Sequence, residues 1–465
     1  MFSYASVMVP RNLLHALATI SIILAFITVE AKAEDYYKFP LRISRNNRYF
    51  EDQNGRPFLI HGDAAWSLIV QLDLKETEFY LDQRKAQGFD AVLVNLIEHK
   101  FAKNPPQNAA GNAPFKKPDD LSTPNEDYFA YADAVINMAA NKRIIVFLAP
   151  GYLGWNGGDE GWYEVFKKNG RKKLRQYGKY IGHRYKDYAN IIWVVGGDYT
   201  PSWFNRWTVD ELAAGIKEGG ASQLMTAQCG AESSTGPFGK RHWLDFNIVY
   251  SYAPDLYKHT LRAYQKEPIK PFIMIESVYE GEHNAQPLRI RKQAYWSMLT
   301  GAAGHFYGNN PIWNFSSPVK VFQTDLKWKD ELKSRGTREM AHLWRLFRNE
   351  KWNELVPDSE NQILLEGYGE KGTDRYSLAA ATKDGALTLV YIGATRENKI
   401  RIYCRCISSC IKAFWYDPTS GDKTPITVPV LINSTSKKEF TMPGKNKGGD
   451  EDWILVIRGK TKIRL

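Results

Sequence analysis

From residue 60 onward, short apolar runs alternate with stretches of helical period, and this beat narrows the possible folds more than any other property of the chain. The runs fall at residues 91–96, 144–149, 191–195, 224–227, 246–250, 272–275 and 304–307, and the segment leading into Gly62-Asp63 makes eight. Helical stretches at residues 75–87, 128–141 and 171–185 separate the early runs, and a Leu-, Met- and Trp-bearing stretch at 330–348 follows the last. Strands spaced by helices of that length build parallel βαβ units, and eight such units close on themselves. The expected fold class is therefore α/β, a (β/α)8 TIM barrel. Upstream, residues 49–61 read as a hairpin that turns at Asn54-Gly55 and feeds the first barrel strand.

After Trp352 the pattern changes to short alternating segments at residues 362–367, 376–381, 386–392 and 453–458, divided by Gly, Asp and Asn. Period-two alternation over short segments describes a small all-β sandwich. At the other end, Arg11, an apolar stretch over residues 13–29 and Ala31-Lys32-Ala33 supply the three parts of a secretory signal peptide, with an uncleaved membrane anchor as the rival reading. The expected division is a signal peptide over residues 1–33, a catalytic barrel over 34–351 and a sandwich over 352–465. The mature protein is expected to be exported, periplasmic or extracellular, with no membrane segment after cleavage. Export permits disulfides, so Cys404, Cys406 and Cys410 are expected to form one local bridge of unspecified pairing, apart from Cys229.

Lysine and arginine exceed the acidic residues 62 to 51, a formal charge of +11. Basic residues cluster over 167–175 and continue to Lys179, Arg184 and Lys186, either as a solvated helix face or as a surface for an acidic polysaccharide such as pectin. Nucleic acid is disfavoured because no basic-and-aromatic signature accompanies the charge. The 14 Trp and 26 Tyr either fill a large core or line a sugar cleft.

Two carboxylates end apolar runs, in Ile191-Ile-Trp-Val-Val-Gly-Gly-Asp198 and in Pro271-Phe-Ile-Met-Ile-Glu276. At the carboxyl end of barrel strands they face the rim where barrel active sites form. Acetal hydrolysis needs one protonated carboxyl for the leaving oxygen and one ionised carboxylate for the developing cation. Glu276, with Tyr250, Tyr252 and Tyr279 within reach, is the candidate nucleophile. Asp198 is the candidate acid/base, provided that burial beside Trp193, Tyr199 or Trp203 and the charge of Glu276 raise its pKa; the bland reading is a turn residue or helix cap. Around them, Asp63, Trp66, Asn95, His99, Tyr152, Trp155, Glu232, Tyr250, Tyr252, Tyr307, Asn309 and Trp313 are strand-end or loop residues of sugar-binding type. Glu280 and Glu282 are rival carboxylates for which a surface role is the default. No Ser-His-Asp order, phosphate loop or metal spacing appears, and the chemistry needs neither cofactor nor metal.

Four segments, Phe58-Leu-Ile-His-Gly-Asp-Ala-Ala-Trp66, Ile192-Trp-Val-Val-Gly-Gly-Asp198, Met274-Ile-Glu-Ser-Val-Tyr-Glu280 and Gly301-Ala-Ala-Gly-His-Phe-Tyr-Gly-Asn-Asn-Pro-Ile-Trp313, resemble the apiosidase-like glycoside hydrolase family in the right order. The resemblance implies a barrel followed by a β-sandwich labelled collagen-binding, with Asp198 as acid/base, Glu276 as nucleophile and a retaining outcome. It also implies cleavage of apiose linkages in a pectic polysaccharide, although loops decide the sugar. The alternative from another class is a carbohydrate- or matrix-binding protein on a barrel that has lost catalysis. Oligomeric state is open.

Overall fold

Eight parallel strands form one sheet: Ile60–Ala64, Ala91–Asn95, Ile145–Ala149, Ile191–Gly196, Met225–Gln228, Asn247–Tyr250, Phe272–Glu276 and Gly304–Tyr307. The computed structural model describes residues 36–319, 321–322, 324–393, 398–403, 412–427 and 437–459. The expected signal peptide and the cluster Cys404, Cys406 and Cys410 lie outside them. Among the described residues, no helix is long and apolar enough to cross a membrane.

Numbered in chain order, the barrel strands run 5-4-3-2-1-8-7-6 around the sheet. The last and first strands close by the register Gly304↔Ile60 to Tyr307↔Asp63. At the seam between strands five and six, single bonds replace a ladder: Asp245 N–H donates to the Met225 carbonyl at 2.8 Å, Met225 N–H to Asp245 Oδ2 at 2.8 Å, and Thr226 Oγ1 to the Phe246 carbonyl at 2.8 Å. Every residue of these strands is buried, because side chains on one face fill the barrel and those on the other meet the helices. Inside, Phe147 and Phe306 pack edge to face at 4.8 Å.

The helices follow from local chemistry. Asp73 caps Leu74–Ala86 by accepting from Glu76 N–H at 2.8 Å, and Asn125 caps Glu126–Asn141. The expected helix at 171–185 is the second part of a longer one, Tyr163–Tyr185, interrupted at Gly170 with φ 72°. The expected helix at 330–348 is likewise two, Trp328–Glu331 and Arg335–Arg348, the second capped by Ser334. Between strands five and six only a 3-10 turn, Gly236–Phe238, replaces the usual helix. The basic run is largely neutralised by its neighbours: Arg171 and Arg175 pair with Glu211 at 3.0 and 2.9 Å, Lys173 with Asp120 at 2.8 Å, and Arg184 with Asp133 at 2.8 Å. These residues of the run are thus an ion-paired helix face.

The hairpin Phe50–Glu51 with Pro57–Phe58 forms as expected and gains a third strand, Arg42–Ile43. Among its described residues, the C-terminal region has two antiparallel sheets, one of six strands and one of three. In the six-stranded sheet, Leu389 and Tyr391 face the barrel helices, where Tyr391 stacks on Tyr295 at 5.3 Å, while Val390 and Ile392 face the three-stranded sheet and its Ile400 and Ile402. Alternation thus lets one sheet serve two cores. Arg291, on the barrel helix Pro287–Leu299, is fully buried in this junction and donates to Glu339 at 2.6 Å, to Asp450 at 2.8 Å and twice to Asp452, at 2.7 and 3.0 Å.

Candidate active site

Asp198 and Glu276 end up in one cavity of about 1150 Å³ at the carboxyl end of the barrel, Asp198 just beyond the fourth strand and Glu276 as the last residue of the seventh. The turn that delivers Asp198 requires its two glycines. Gly196 and Gly197 hold φ of 101° and 149°, and a Cβ on either would fall 2.1 Å from the Gln228 carbonyl oxygen or 2.7 Å from the Tyr152 ring. The main chain therefore passes close against strand five and swings the carboxylate into the opening.

Each carboxylate is held by neutral donors. Tyr152 Oη donates to Asp198 Oδ2 at 2.9 Å. Gln228 Nε2, from the end of strand five, donates to Glu276 Oε2 at 2.7 Å. The Trp66 indole donates to Tyr279 Oη at 3.0 Å, and the Tyr279 hydroxyl in turn favours the ionised form of Glu276. Tyr250 donates to Tyr252 at 3.1 Å. These bonds offset burial only in part. Burial pushes Asp198 up to about 6, with the charge of Glu160 adding to it, and burial together with the charge of Asp198 pushes Glu276 well above the carboxylate range. Burial and the charge of each on the other thus favour a state in which the two carboxyls share a proton.

Of the expected sugar-binding residues, Trp66, Asn95, Tyr152, Trp155, Tyr250, Tyr252 and Trp313 line the cavity with the two carboxylates. Five others do not. Asp63 points away from the cavity and is wholly buried against Arg84, whose Nε donates to it at 2.6 Å, and Tyr80. Tyr307 and Asn309 belong to a brace in which Glu280 also accepts from Ser334 Oγ at 2.7 Å and Gly336 N–H at 2.9 Å. Glu232 accepts from Ser251 Oγ at 2.6 Å and Tyr252 N–H at 2.8 Å, so it shapes the loop that carries Tyr250 and Tyr252. His99 holds the Asp159 carbonyl at 2.8 Å and packs on Trp162.

The surface role expected for Glu282 is also wrong. It is 4% exposed and lines the cavity, where burial pushes its carboxyl up to about 8 and the Trp313 indole opposes that rise. Trp193 and Trp203, expected beside Asp198, are elsewhere: Trp193 donates to Gln223 at 3.3 Å, and Trp203 is in solvent. Only Tyr199 of the three lines the cavity. Gln228 is not among the expected site residues, yet as a polar residue closing the run Met-Thr-Ala-Gln228 it carries the same signal as Glu276.

Paired carboxylates from the fourth and seventh strands, among aromatic walls at the rim of a parallel barrel, define the class of barrel glycoside hydrolases. A family model described as "Apiosidase-like, catalytic domain" matches residues 44–354, and one described as "Putative collagen-binding domain of a collagenase" matches residues 356–458. The chain belongs to the apiosidase-like family. Among solved structures, one named as a glycoside hydrolase is 24% identical with a TM-score of 0.78, over 91% of this chain and 98% of its own. A glycoside hydrolase family 5 protein from Bacteroides vulgatus is 25% identical with a TM-score of 0.77, over 91% of this chain and 94% of its own. No curated protein matches.

Proposed function

We propose that the protein is an exported, retaining glycoside hydrolase that cleaves a linkage in a plant-type polysaccharide by double displacement, with Glu276 as nucleophile and Asp198 as acid/base. The observation that carries this reading is the meeting of those two carboxylates, from different strands, in one aromatic-walled cavity. In the first step Glu276 attacks the anomeric carbon while Asp198 gives its proton to the leaving oxygen. In the second, Asp198 takes a proton from water as water displaces Glu276. Tyr279 and Gln228 aim and stabilise the Glu276 carboxylate.

Burial raises both carboxyls in the empty cavity, and the charge of each opposes ionisation of the other, so the two roles separate only when substrate is bound. A sugar with positive charge developing at its anomeric carbon lowers the affinity of the carboxyl beneath it. Substrate thus moves the shared proton towards Asp198, where departure of the leaving group needs it.

Asp198, Glu276, Glu282 and Glu160 line the cavity against Lys100 and Arg289, and Arg289 is engaged with the Tyr252 carbonyl at 2.9 Å. With Glu282 raised to about 8 and Asp198 and Glu276 sharing a proton, the lining has no surplus of cations to hold a uronic acid at the cleaved bond. Apiose, which the family resemblance implies, is uncharged, and it is the substrate we propose to test first, within pectic polysaccharide. The leader-like sequence at residues 1–33 supports export to where such a polymer is met.

Release of reducing ends from a panel of pectic and hemicellulosic glycans, with the product anomer followed by NMR, tests the reading. Glu276→Gln and Asp198→Asn should each lower turnover roughly 10²- to 10⁴-fold with the circular dichroism spectrum unchanged. Near-wild-type turnover by both variants would remove the assignment, and an inverted product anomer would remove double displacement.

A further inference from the structure

Three aromatic side chains stand in solvent: Trp155, on the cavity wall, is 67% exposed, and Trp203 and Phe204, five and six residues along the chain from Asp198, are 68% and 67% exposed. Every other exposed large apolar side chain among the described residues is 49% exposed or less. Adjacent apolar rings held in water cost free energy unless something covers them, which makes such a patch a marker of a binding surface.

The pair Trp203–Phe204 is built into a defined turn. Asn205 and Arg206 N–H both donate to the Ser202 carbonyl, at 2.8 and 3.1 Å, and helix Trp207–Glu218 begins immediately after. The two rings stack with centroids 3.7 Å apart and planes at 29°. This turn belongs to the loop that carries Asp198, and five residues of chain reach at most roughly 18 Å. Tyr199 and Thr200, between Asp198 and the pair, line the cavity. Trp155, also on the cavity wall, is tied to the same loop because Asn156 N–H donates to the Asp198 carbonyl at 3.2 Å. Trp155 is therefore part of the cavity wall, and Trp203 and Phe204 follow the wall residues Tyr199 and Thr200 on the same loop.

That loop has a chemical meaning. A general acid lies against the leaving-group oxygen, so the sugars departing with that oxygen extend past the loop that holds the acid. We infer that Trp203 and Phe204 form a platform for glycosyl units on the leaving-group side of the cleaved bond, and hence that the substrate is an oligo- or polysaccharide continuing beyond that bond rather than a glycoside with a small aglycone. The exposed ring faces match the apolar C–H faces of sugar rings, and their position fixes which part of the glycan they take. The inference rests on the proposed role of Asp198.

The test uses the double variant Trp203→Ala/Phe204→Ala, whose changes lie in solvent and spare the fold. Two measurements are made on the full chain: kcat/KM on apiose-containing pectic oligosaccharides and on nitrophenyl apioside, and retardation by the pectic polysaccharide in affinity electrophoresis. Expected is a loss of about tenfold in kcat/KM on the oligosaccharides, carried by KM. The nitrophenyl glycoside should change less than about twofold, and retardation by the polymer should disappear. Equal effects on both substrates, or unchanged retardation, would overturn the platform. So would a sedimentation change from dimer to monomer, which would assign the rings to a contact between copies. A wild-type chain that turns over neither substrate yet is retarded through Trp203 and Phe204 would sink the hydrolase reading while leaving the platform as a glycan-binding surface.

Discussion

Replacing Asp63 by Asn separates a structural role from a sugar-binding one at a position where the sequence favoured the latter. Asp63 and Arg84 are both fully buried, with Nε to Oδ2 at 2.6 Å, and Arg84 is otherwise held only by neutral groups, Gln87 Oε1 at 2.8 Å and Thr337 Oγ1 at 3.3 Å. An asparagine keeps the shape and removes the charge, leaving a guanidinium with no counter-ion in the wall between barrel and helices. Losing one partner of a buried pair costs about 3 to 5 kcal/mol. With an unfolding entropy of roughly 0.9 kcal/mol/K for a cooperative unit of roughly 430 residues, the midpoint should fall by about 3 to 6 °C. Calorimetry gives the midpoint, and kcat/KM at a temperature where both proteins are folded should stay within about twofold of wild type, because nothing facing the cavity changes. The double variant Asp63→Leu/Arg84→Met should recover most of the loss, since an apolar pair of similar volume can replace a buried ion pair. An unchanged midpoint combined with a hundredfold fall in kcat/KM would refute this placement of Asp63 and return it to the sugar.

The paired carboxyls also predict a pH profile. With Asp198 raised to about 6 and Glu276 raised well above the carboxylate range, the pair loses its two protons in coupled steps at higher pH than free carboxyls would. Only the singly protonated state has both a nucleophile and an acid, so kcat/KM should rise through about pH 6 and fall again on the alkaline side; an optimum near pH 4 would contradict it. Gln228→Leu removes the 2.7 Å donor to Glu276. A hydrogen bond to a charged group is worth about 1.5 to 3 kcal/mol, so kcat should fall roughly 10- to 150-fold and the alkaline limb should move up by about one to two pH units; wild-type kinetics would show that Gln228 is a bystander.

The barrel is legible because its period survives in the sequence: each apolar run is short and bounded, and helical stretches separate the early runs and follow the last. Positions along the strands were readable for the same reason, which is why Asp198 and Glu276 could be placed at a rim. What a strand-end residue faces was not readable. Both faces of a parallel barrel strand are buried, so the alternation that orients side chains in an exposed sheet is lost, and Asp63 and Tyr307 look like rim residues while pointing into the helix layer. Loops added a second kind of error. Glu282 follows Gly281 in a polar stretch that reads as solvent-facing, but the return of the chain past Asn310 folds it inward, a long-range event with no local signal. In the sandwich the period-two alternation was read correctly, and the structure adds that its second face covers the barrel.

The guanidinium of Arg291 has a consequence for how this architecture can be edited. Two of its three acidic partners, Asp450 and Asp452, come from the far end of the chain, and the third, Glu339, comes from the barrel's last long helix. A truncation that ended the chain at the barrel would take away two of the three carboxylates around this guanidinium and uncover the apolar helix faces that the six-stranded sheet now covers. The C-terminal sheets are therefore not a detachable cassette: grafting them onto another barrel, or trimming them to simplify expression, requires rewriting position 291 at the same time.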